Sequence, residues 1–221
     1  MEVWKRMTGI IQKKREVIEW GCMAYNKGFL DGASGNLSLR LDDRQILITP
    51  SGISKGRLKP ADLIRYDIVK EKPVGKGGNK PSSEIRMHTF IYRQRSDVQA
   101  ILHAHPVYAV ALSVAGISLD KAILPESVFA LGTIVTCPYA TPTTRDVVDV
   151  IKSAVVAGNQ ALILTRHGSI TLGKTMEEAF MRLETLEHVA KVTAVASSIG
   201  KVTPLPKKEI QKIEYRISNK K

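Results

Sequence analysis

Two histidines separated by one residue close the apolar segment "AILHAHPVY", residues 100–108, and they are the side chains best placed for chemistry. If this segment is a strand, His103 and His105 point to the same face and can direct both imidazoles at one point. A third histidine, His167, follows the apolar run "ALILT" in a glycine-containing turn. Three imidazoles around an open coordination position form a catalytic zinc site. Spacing alone leaves open both this metal site and a set of unrelated core or surface histidines.

A glutamate lies upstream of this pair, where "PSSEIRMHTF" predicts a helix that leads into the strand with "HAH". The Glu84 carboxylate could be a fourth metal ligand or a general base beside the metal. It could equally be a first-turn glutamate that interacts favourably with the helix dipole. His88 and His188 fall within predicted helices, so we expect ordinary packing or surface exposure for both.

Three polar loops could bind an anion near such a metal. "GASGNLS" and "TPSGIS" combine small residues with hydroxyls and an asparagine, and "PSSE" adds serines at a helix start. Backbone N–H groups and hydroxyls in these segments could donate to a phosphate. Each loop by itself is also typical of a plain turn.

Strands and helices must alternate to position these residues, and the hydrophobic pattern predicts such a chain. Helical periodicity marks residues 2–27, "TPTTRDVVDVIKSAVVAG" with a Thr/Asp cap, and "TMEEAFMRLETLEHVAKVTAVASSIG", which ends at Gly200. A further helix begins at Ser82 or Ser83 and continues to about Arg93. "LSLRLDDRQILIT" predicts a β-hairpin, and the other predicted strands are "ADLIRYDIV", "VQAILHAH", "TIVTCPYA" and "QALILTRHGSITLG". Helices between strands, together with hairpins, predict an α/β fold with a mixed sheet.

Composition narrows the class of protein. With 221 residues, 43% of them hydrophobic, the chain can bury one large core. It has no apolar run long enough for a membrane helix and no secretory leader, so we expect a cytoplasmic protein without a membrane partner. Cys22 and Cys137 lie far apart, which favours two buried thiols. Residues 201–221 contribute +5 of the net charge of +12, and no DNA- or RNA-binding motif accompanies the basic residues, so no nucleic-acid partner is expected.

Taken in order, the motifs "GASGNLSLR", "ITPSG", "PSSE", "HAHP", "PYATPTT" and "LTRHGSITLGKTMEEA" resemble the class II aldolase/adducin family, most closely its L-fuculose-1-phosphate aldolase branch. The similarity runs from about Glu16 to Ala196. It implies an α/β fold with a mixed, largely antiparallel central sheet flanked by helices in three layers. It also implies a single domain over residues 1–221 with a basic C-terminal tail at about 201–221. The family assembles as a homotetramer with its active sites between subunits.

The resemblance assigns roles residue by residue. It implies that His103, His105 and His167 bind one Zn2+ per subunit, and that Glu84 both ligates this metal and acts as the acid/base. The positions that hold the substrate phosphate correspond to Gly35, Asn36, Ser51, Gly52, Ser82 and Ser83. The implied enzyme is a zinc-dependent aldehyde-lyase. It cleaves a ketose 1-phosphate, such as L-fuculose 1-phosphate, reversibly to dihydroxyacetone phosphate and an aldehyde such as L-lactaldehyde.

The sequence departs from the family pattern at one catalytic position. The best-known aldolase uses a tyrosine from the neighbouring subunit, whereas "ILPESVFALG" aligns Glu126 at or near that place. Glu126 could take the tyrosine's role or be a structural residue at a helix start, and both interpretations stay open. Tyr215, in "QKIEYRIS", resembles a tail tyrosine that closes over the substrate.

Other functions remain open within this family, which also includes epimerases, dehydratases and decarboxylases, and beyond it. A methylthioribulose-1-phosphate dehydratase has a catalytic glutamate after its HxH motif, close to Glu126, and is the main alternative. The epimerase branch typically has aspartate where this chain has Glu84, which argues against an epimerase. From another class, adducin-like interaction modules lack the metal ligands, whereas this chain retains three histidines and Glu84. A basic nucleic-acid-binding protein is a second non-enzymatic alternative.

Overall fold

The computed structural model describes residues 2–75 and 77–219, and its strands form a single sheet. The strands are β1 (Asn36–Arg40), β2 (Gln45–Ile48), β3 (Ile64–Asp67), β4 (Lys72–Pro73), β5 (Ala100–Ala104), β6 (Ile134–Cys137), β7 (Ala161–Leu164) and β8 (Gly168–Gly173). The helices are α1 (Glu2–Asn26), α2 (Ile85–Gln94), α3 (Val107–Val114), α4 (Pro125–Leu131), α5 (Asp146–Val156), α6 (Met176–Ile199) and α7 (Lys207–Ser218). A short 3-10 helix occupies Lys55–Arg57.

The sheet is mixed and largely antiparallel, as predicted. Its strand order is β4-β3-β2-β1-β5-β8-β7-β6, and only the β6–β7 pair is parallel. Parallel neighbours need a crossover connection, and here α5 supplies it between β6 and β7. The predicted hairpin is confirmed, because β1 and β2 pair as antiparallel neighbours. β5 therefore lies in the interior of the sheet, between β1 and β8.

Helices cover both faces of the sheet and give the three layers. Alternate strand residues point to opposite faces, so Ile101 of β5 packs with α2 and α5, whereas Leu102 faces α1 and α6. On the second face Leu112 of α3 and Leu186 of α6 pack against Ile163 of β7. Both faces of the central strands are thereby buried, which holds the ends of β5 and β8 in fixed positions.

The start of α5 differs from the expected one. The helix begins at Asp146, its N-cap residue Arg145 has no side-chain cap bond, and the preceding "TPTT" forms turns. Thr143 has a φ of 70°, which a helical residue cannot adopt. The predicted helix is confirmed over Asp146–Val156, but its expected threonine cap was wrong for that reason.

Three further helices differ from expectation in smaller ways. Glu84, not a serine, is the N-cap residue of α2, and the Ser82 hydroxyl accepts a hydrogen bond from the Glu84 N–H at 3.2 Å. Helix α7, within the basic tail, was not predicted, and α4 was anticipated only as the helix start that one interpretation of Glu126 assumes. The long helix that ends before Gly200 is confirmed as α6.

Both cysteines are free thiols, with Cys137 buried and Cys22 half-buried. Over the described part of the chain, no helix combines the length and the apolar character that crossing a bilayer requires.

Candidate metal centre

The three histidines that the sequence singled out meet at one end of the central strands. His103 lies near the end of β5, His105 follows that strand, and His167 is in the turn that joins β7 to β8. Because β5 and β8 are hydrogen-bonded neighbours, this turn is brought beside the end of β5. The ligand nitrogens of the three rings lie within 4.8 Å of one another, and the Nε2 atoms of His103 and His105 are 3.1 Å apart.

Glu84 completes the cluster from the other side. As the N-cap residue of α2, it places its carboxylate against the imidazoles, with a side chain that is 10% exposed. Its Oε2 lies 3.0 Å from His103 Nε2, and its Oε1 lies 3.2 Å from His167 Nε2. The carboxylate therefore faces two of the three rings.

The hydrogen bonds of the site leave an unprotonated ring nitrogen of His103 facing the carboxylate of Glu84. The Nδ1 of His103 donates to the Ser169 carbonyl oxygen at 2.9 Å, and this assignment leaves its Nε2 unprotonated in the neutral ring. Glu84 Oε1 is buried and accepts no hydrogen bond from any described residue. The lone pair of His103 Nε2 then faces Glu84 Oε2 at 3.0 Å, and these two groups repel each other unless a proton or a cation lies between them. These residues therefore fit a divalent metal ion, and the donation to Ser169 would hold the His103 ring in its ligating orientation.

The charge states agree with this fit. Burial alone would raise the pKa of the Glu84 carboxyl, but positive charge at the His103 and His167 rings holds that pKa well below its usual range, and a cation bound between the rings would act in the same direction. Burial lowers the pKa of His105 to about 4, and His103 and His167 act in the same direction. Near neutral pH the site thus presents an ionised carboxylate and a neutral His105, the forms that bind a metal.

A buried hydrogen-bond chain leads from the core to Glu84. The Asn36 amide donates to Glu84 Oε2 at 2.8 Å, so its oxygen accepts from His88 Nε2 at 2.5 Å. His88 Nδ1 then accepts from the Ser38 hydroxyl at 2.6 Å, and Ser38 accepts from the Tyr92 hydroxyl at 3.0 Å. Burial lowers the pKa of His88 to about 3, consistent with this neutral ring.

His88 is therefore packed in the core as expected, but it also holds Asn36 against Glu84. Its position four residues after Glu84, on the same helix face, was the signal that could have identified it. His188 is exposed, which agrees with the prediction for it.

A cavity of about 260 Å³ opens beside Glu84, His105 and His167. All six residues expected at a phosphate line it: Gly35, Asn36, Ser51, Gly52, Ser82 and Ser83. Gly35 has a φ of 62°, and a Cβ there would lie 2.6 Å from the His103 carbonyl oxygen. This close approach requires glycine, because the loop passes directly over the end of β5. The structure thus brings the expected anion-binding loops and the histidines into one cavity.

The sequence did not single out three other residues at this site. Lys55 and Thr143 line the same cavity. Gly168 lies beneath the rings, where a Cβ would come within 2.5 Å of the Ala104 carbonyl oxygen and 2.7 Å of His105 Cδ2. Its place directly after His167 was the available signal, since glycine permits close approach of a neighbouring strand.

Glu126 and Tyr215 do not line this cavity within one chain. Glu126 is exposed in the first turn of α4, and Tyr215 is 72% exposed on α7. Helices α4 and α7 pack against each other, so both residues belong to the same region of the surface. A larger cavity of about 570 Å³ lies between these helices, but it contains none of the predicted site residues.

Comparison with known proteins identifies a family and several relatives of this chain. The family model described as class II aldolase and adducin N-terminal domain matches residues 15–194. The chain is similar to the L-fuculose phosphate aldolase of Methanococcus vannielii, with 34% identity over 85% of this chain and 98% of that protein. It is also similar to the 3-oxo-tetronate 4-phosphate decarboxylase of Haemophilus influenzae, with 31% identity over 95% and 99% of the two chains. A solved structure of L-fuculose 1-phosphate aldolase matches with a TM-score of 0.83 and 29% identity, covering 93% of this chain and 95% of that one.

Proposed function

Because this chain belongs to the class II aldolase and adducin N-terminal domain family, we propose that it is a metal-dependent lyase of phosphorylated sugars. The proposed reaction is the reversible cleavage of a ketose 1-phosphate, either L-fuculose 1-phosphate or a related deoxy-sugar phosphate. The products are dihydroxyacetone phosphate and an aldehyde such as L-lactaldehyde. The observation that carries the proposal is the convergence of three imidazoles and Glu84 beside a cavity lined by the expected phosphate loops.

One divalent ion per subunit is proposed at His103, His105 and His167, with Glu84 as an additional ligand in the resting site. Three imidazoles and a carboxylate are ligands that suit Zn2+, which is the proposed metal. Such an ion supplies a Lewis acid that draws electron density from a substrate carbonyl oxygen.

Residues of the chain are proposed to bind the substrate and to move its protons. The loops at Gly35, Ser51 and Ser83 hold the phosphate at one end of the cavity, which orients the C2 carbonyl toward the histidines. When the C3–C4 bond breaks, its electron pair passes to C3 and is delocalised onto the C2 oxygen. The C4 hydroxyl loses its proton as the aldehyde forms, and C3 gains one.

Glu84 is proposed to deliver the proton to C3. Its carboxylate lies beside the ring nitrogens and lines the cavity, and a hydrogen bond from the Asn36 amide fixes its orientation. Glu126 of a neighbouring subunit is proposed to take the proton from the C4 hydroxyl, and Tyr215 to close over the substrate. This assignment of roles to residues of two subunits depends on a homotetramer with active sites between its subunits. That assembly is part of the proposal, and the cytoplasmic location stays a prediction.

A decarboxylase is the second candidate, because four relatives are named 3-oxo-tetronate 4-phosphate decarboxylase. That substrate carries its carboxylate on the hydroxyl-bearing carbon beside the ketone. Loss of CO2 leaves an electron pair on this carbon, as C3–C4 cleavage does in the ketose 1-phosphate. Decarboxylation needs no base at an aldehyde oxygen, and Glu126 and Tyr215 do not line the cavity of the single chain.

The test is a product assay on metal-loaded protein. Incubation with dihydroxyacetone phosphate and a panel of aldehydes is expected to give new ketose 1-phosphates, and chelation of the metal is expected to stop their formation. In parallel, 3-oxo-tetronate 4-phosphate is assayed for release of CO2, and methylthioribulose 1-phosphate for loss of water.

CO2 release without any condensation would replace the aldolase proposal with the decarboxylase, and water loss alone would replace it with the dehydratase. A preparation that contains no divalent metal and stays inactive after metal is added would favour the adducin-like interaction module.

A further inference from the structure

Lys55 is a buried lysine at the edge of the candidate site. It begins the short 3-10 helix that follows the Ser51-Gly52 turn, and it is only 2% exposed. Its stem packs against α1, where Gly21 leaves room: a Cβ on that glycine would lie 3.6 Å from Lys55 Cβ. The ammonium group lies 2.5 Å from the Ala33 carbonyl oxygen and lines the cavity beside the histidines.

The Lys55 charge has no direct counter-charge. Among the residues whose side chains are described, no carboxylate lies within 4.0 Å of its Nζ, and the Ala33 carbonyl is its one hydrogen-bond acceptor. An ammonium carries three N–H donors, so two remain without a protein partner. Burial lowers the pKa of Lys55 to about 8, while the charge of Glu84 acts to raise it. A buried, under-coordinated ammonium is costly unless an anion completes its environment.

The surrounding groups are further donors. The Ser51 and Ser83 hydroxyls and the Gly52 N–H line the same cavity, and none of them is hydrogen-bonded to another described residue. A phosphate offers several charged oxygens, which suits several donors together with one cation. Inorganic phosphate and the phosphate group of an ester both present these charged oxygens.

We infer that Lys55 is a specificity-determining residue that neutralises the phosphate of the substrate. This inference rests on the proposed function, since it assigns a charge partner to the phosphate of that sugar substrate. The hydroxyls and N–H groups shape the subsite, and Lys55 supplies its positive charge. The residue thereby selects a phosphorylated ketose over the free sugar.

The first test is the binding of inorganic phosphate by the metal-loaded protein, measured by calorimetry. Lys55→Met keeps most of the stem and removes the charge, so its affinity for phosphate is expected to fall about 10- to 100-fold. Lys59→Met, at an exposed lysine four residues further along the chain, is the matched control and is expected to keep the wild-type affinity. Metal content is measured in each variant to establish that the histidine site is intact.

Equal phosphate affinity in Lys55→Met and the wild type would overturn the inference, as would a wild-type protein that binds no phosphate. The readout is independent of C–C bond cleavage. A protein that binds phosphate through Lys55 yet forms no ketose 1-phosphate would refute the aldolase and leave the inference in place.

A second measurement needs no variant at Lys55 and so does not depend on the folding of Lys55→Met. The wild-type protein is acetylated with acetic anhydride, with and without inorganic phosphate, and the modified lysines are quantified by mass spectrometry. Phosphate is expected to reduce acetylation at Lys55 at least several-fold and to leave Lys59 unchanged. The same extent of labelling at Lys55 in both samples would contradict the inference.

Discussion

The carboxylate of Glu84 sets the direction of every hydrogen bond in the buried chain behind it. Because an ionised carboxylate only accepts, Asn36 must present its NH2 group to Glu84 and its oxygen to His88. His88 is then restricted to one neutral tautomer, and Ser38 must donate to it. A protonated His88 would have to donate from Nδ1 to a hydroxyl that is itself a donor in this arrangement. A second proton on His88 therefore forces the Ser38 hydroxyl to reverse its direction, which leaves the Gln99 carbonyl oxygen, at 3.3 Å, as the acceptor for Tyr92.

This restriction predicts an acid-sensitive contribution to stability. The pKa of folded His88, about 3, lies below the ordinary histidine value, so the unfolded chain binds the additional proton first. Stability is therefore lost as the pH falls from about 7 toward 3. Between pH 7 and pH 5, the wild type is expected to lose about 2 kcal/mol more of its free energy of unfolding than His88→Gln. Urea unfolding at both pH values and one protein concentration measures this difference.

His188→Gln, at an exposed histidine on α6, is the control and is expected to keep the pH dependence of the wild type. Identical pH dependence in His88→Gln and the wild type would show that His88 is not held neutral by burial.

At the residue scale, the candidate metal-binding histidines could be predicted from the sequence, whereas the residues packed around them could not. The i, i+2 spacing of His103 and His105 requires only a strand, so it was sufficient to predict that their side chains converge. Lys55 could not be found in this way, because a lysine is normally solvated and its burial depends on α1 packing over it. His88 was dismissed as a packing residue for a related reason, since its partners Ser38 and Asn36 lie on another element.

At the scale of elements, the β5–β8 pair determines how closely the rings approach. Gly168 begins β8 directly beneath them, and the backbone of β5 leaves no room for a side chain there. Gly173, at the other end of β8, is enclosed in the same way, because a Cβ would lie 2.5 Å from the Ala179 nitrogen. The two glycines serve the same packing function, but only Gly168 is adjacent to a candidate ligand.

Gly168→Ala is therefore expected to weaken metal binding by about 10-fold or more, because it displaces His105 or the end of β5. Gly173→Ala is the matched control and is expected to retain the wild-type metal affinity. Both variants are expected to lose about 1–3 kcal/mol of stability through overpacking. Competition with a chromogenic chelator measures the affinity, and thermal unfolding of the metal-free proteins measures the stability. Equal metal affinity in the two variants would show that Gly168 has no special relation to the site.

Elements with a long hydrophobic period were predictable from the sequence, and short or strained ones were not. Helix α6 was identified correctly to its terminal Gly200, because its apolar stripe runs over many turns. Helix α4 has only seven residues, too few for a period to be distinguished. The turn before α5 depends on Thr143 at a positive φ, which costs a β-branched residue about 1–3 kcal/mol and which no local pattern foretells.

For the whole molecule, the important feature is that one chain does not bring Glu126 to the cavity that contains Glu84. Glu126 lies on α4, which packs against α6 and α7, and it is not among the residues that line the cavity. If the two carboxylates act on one substrate, they must come from different chains of a symmetric assembly.

This arrangement predicts complementation between two inactive variants. Glu84→Gln and Glu126→Gln are each expected to lose most lyase activity as separate proteins. When the two chains are coexpressed in equal amounts, about a quarter of the sites in the mixed assemblies receive both intact carboxylates, so activity is expected to return in that proportion. Steady-state rates of ketose 1-phosphate cleavage measure it. Full activity in Glu126→Gln alone would show that Glu126 has only a structural role at the start of α4. Mixed assemblies without activity would exclude sites that combine Glu84 of one subunit with Glu126 of another.

The candidate metal ligands are unevenly distributed along the chain, so they become available at different times during synthesis. A nascent polypeptide that has been translated through β5 already contains Glu84 and His103. His167 emerges only after three more helices and two more strands. Until then the third candidate ligand is missing, and the three-histidine site proposed for a divalent ion cannot form. Binding of the proposed metal by all three imidazoles therefore has to wait until β7 and β8 have joined the sheet beside β5.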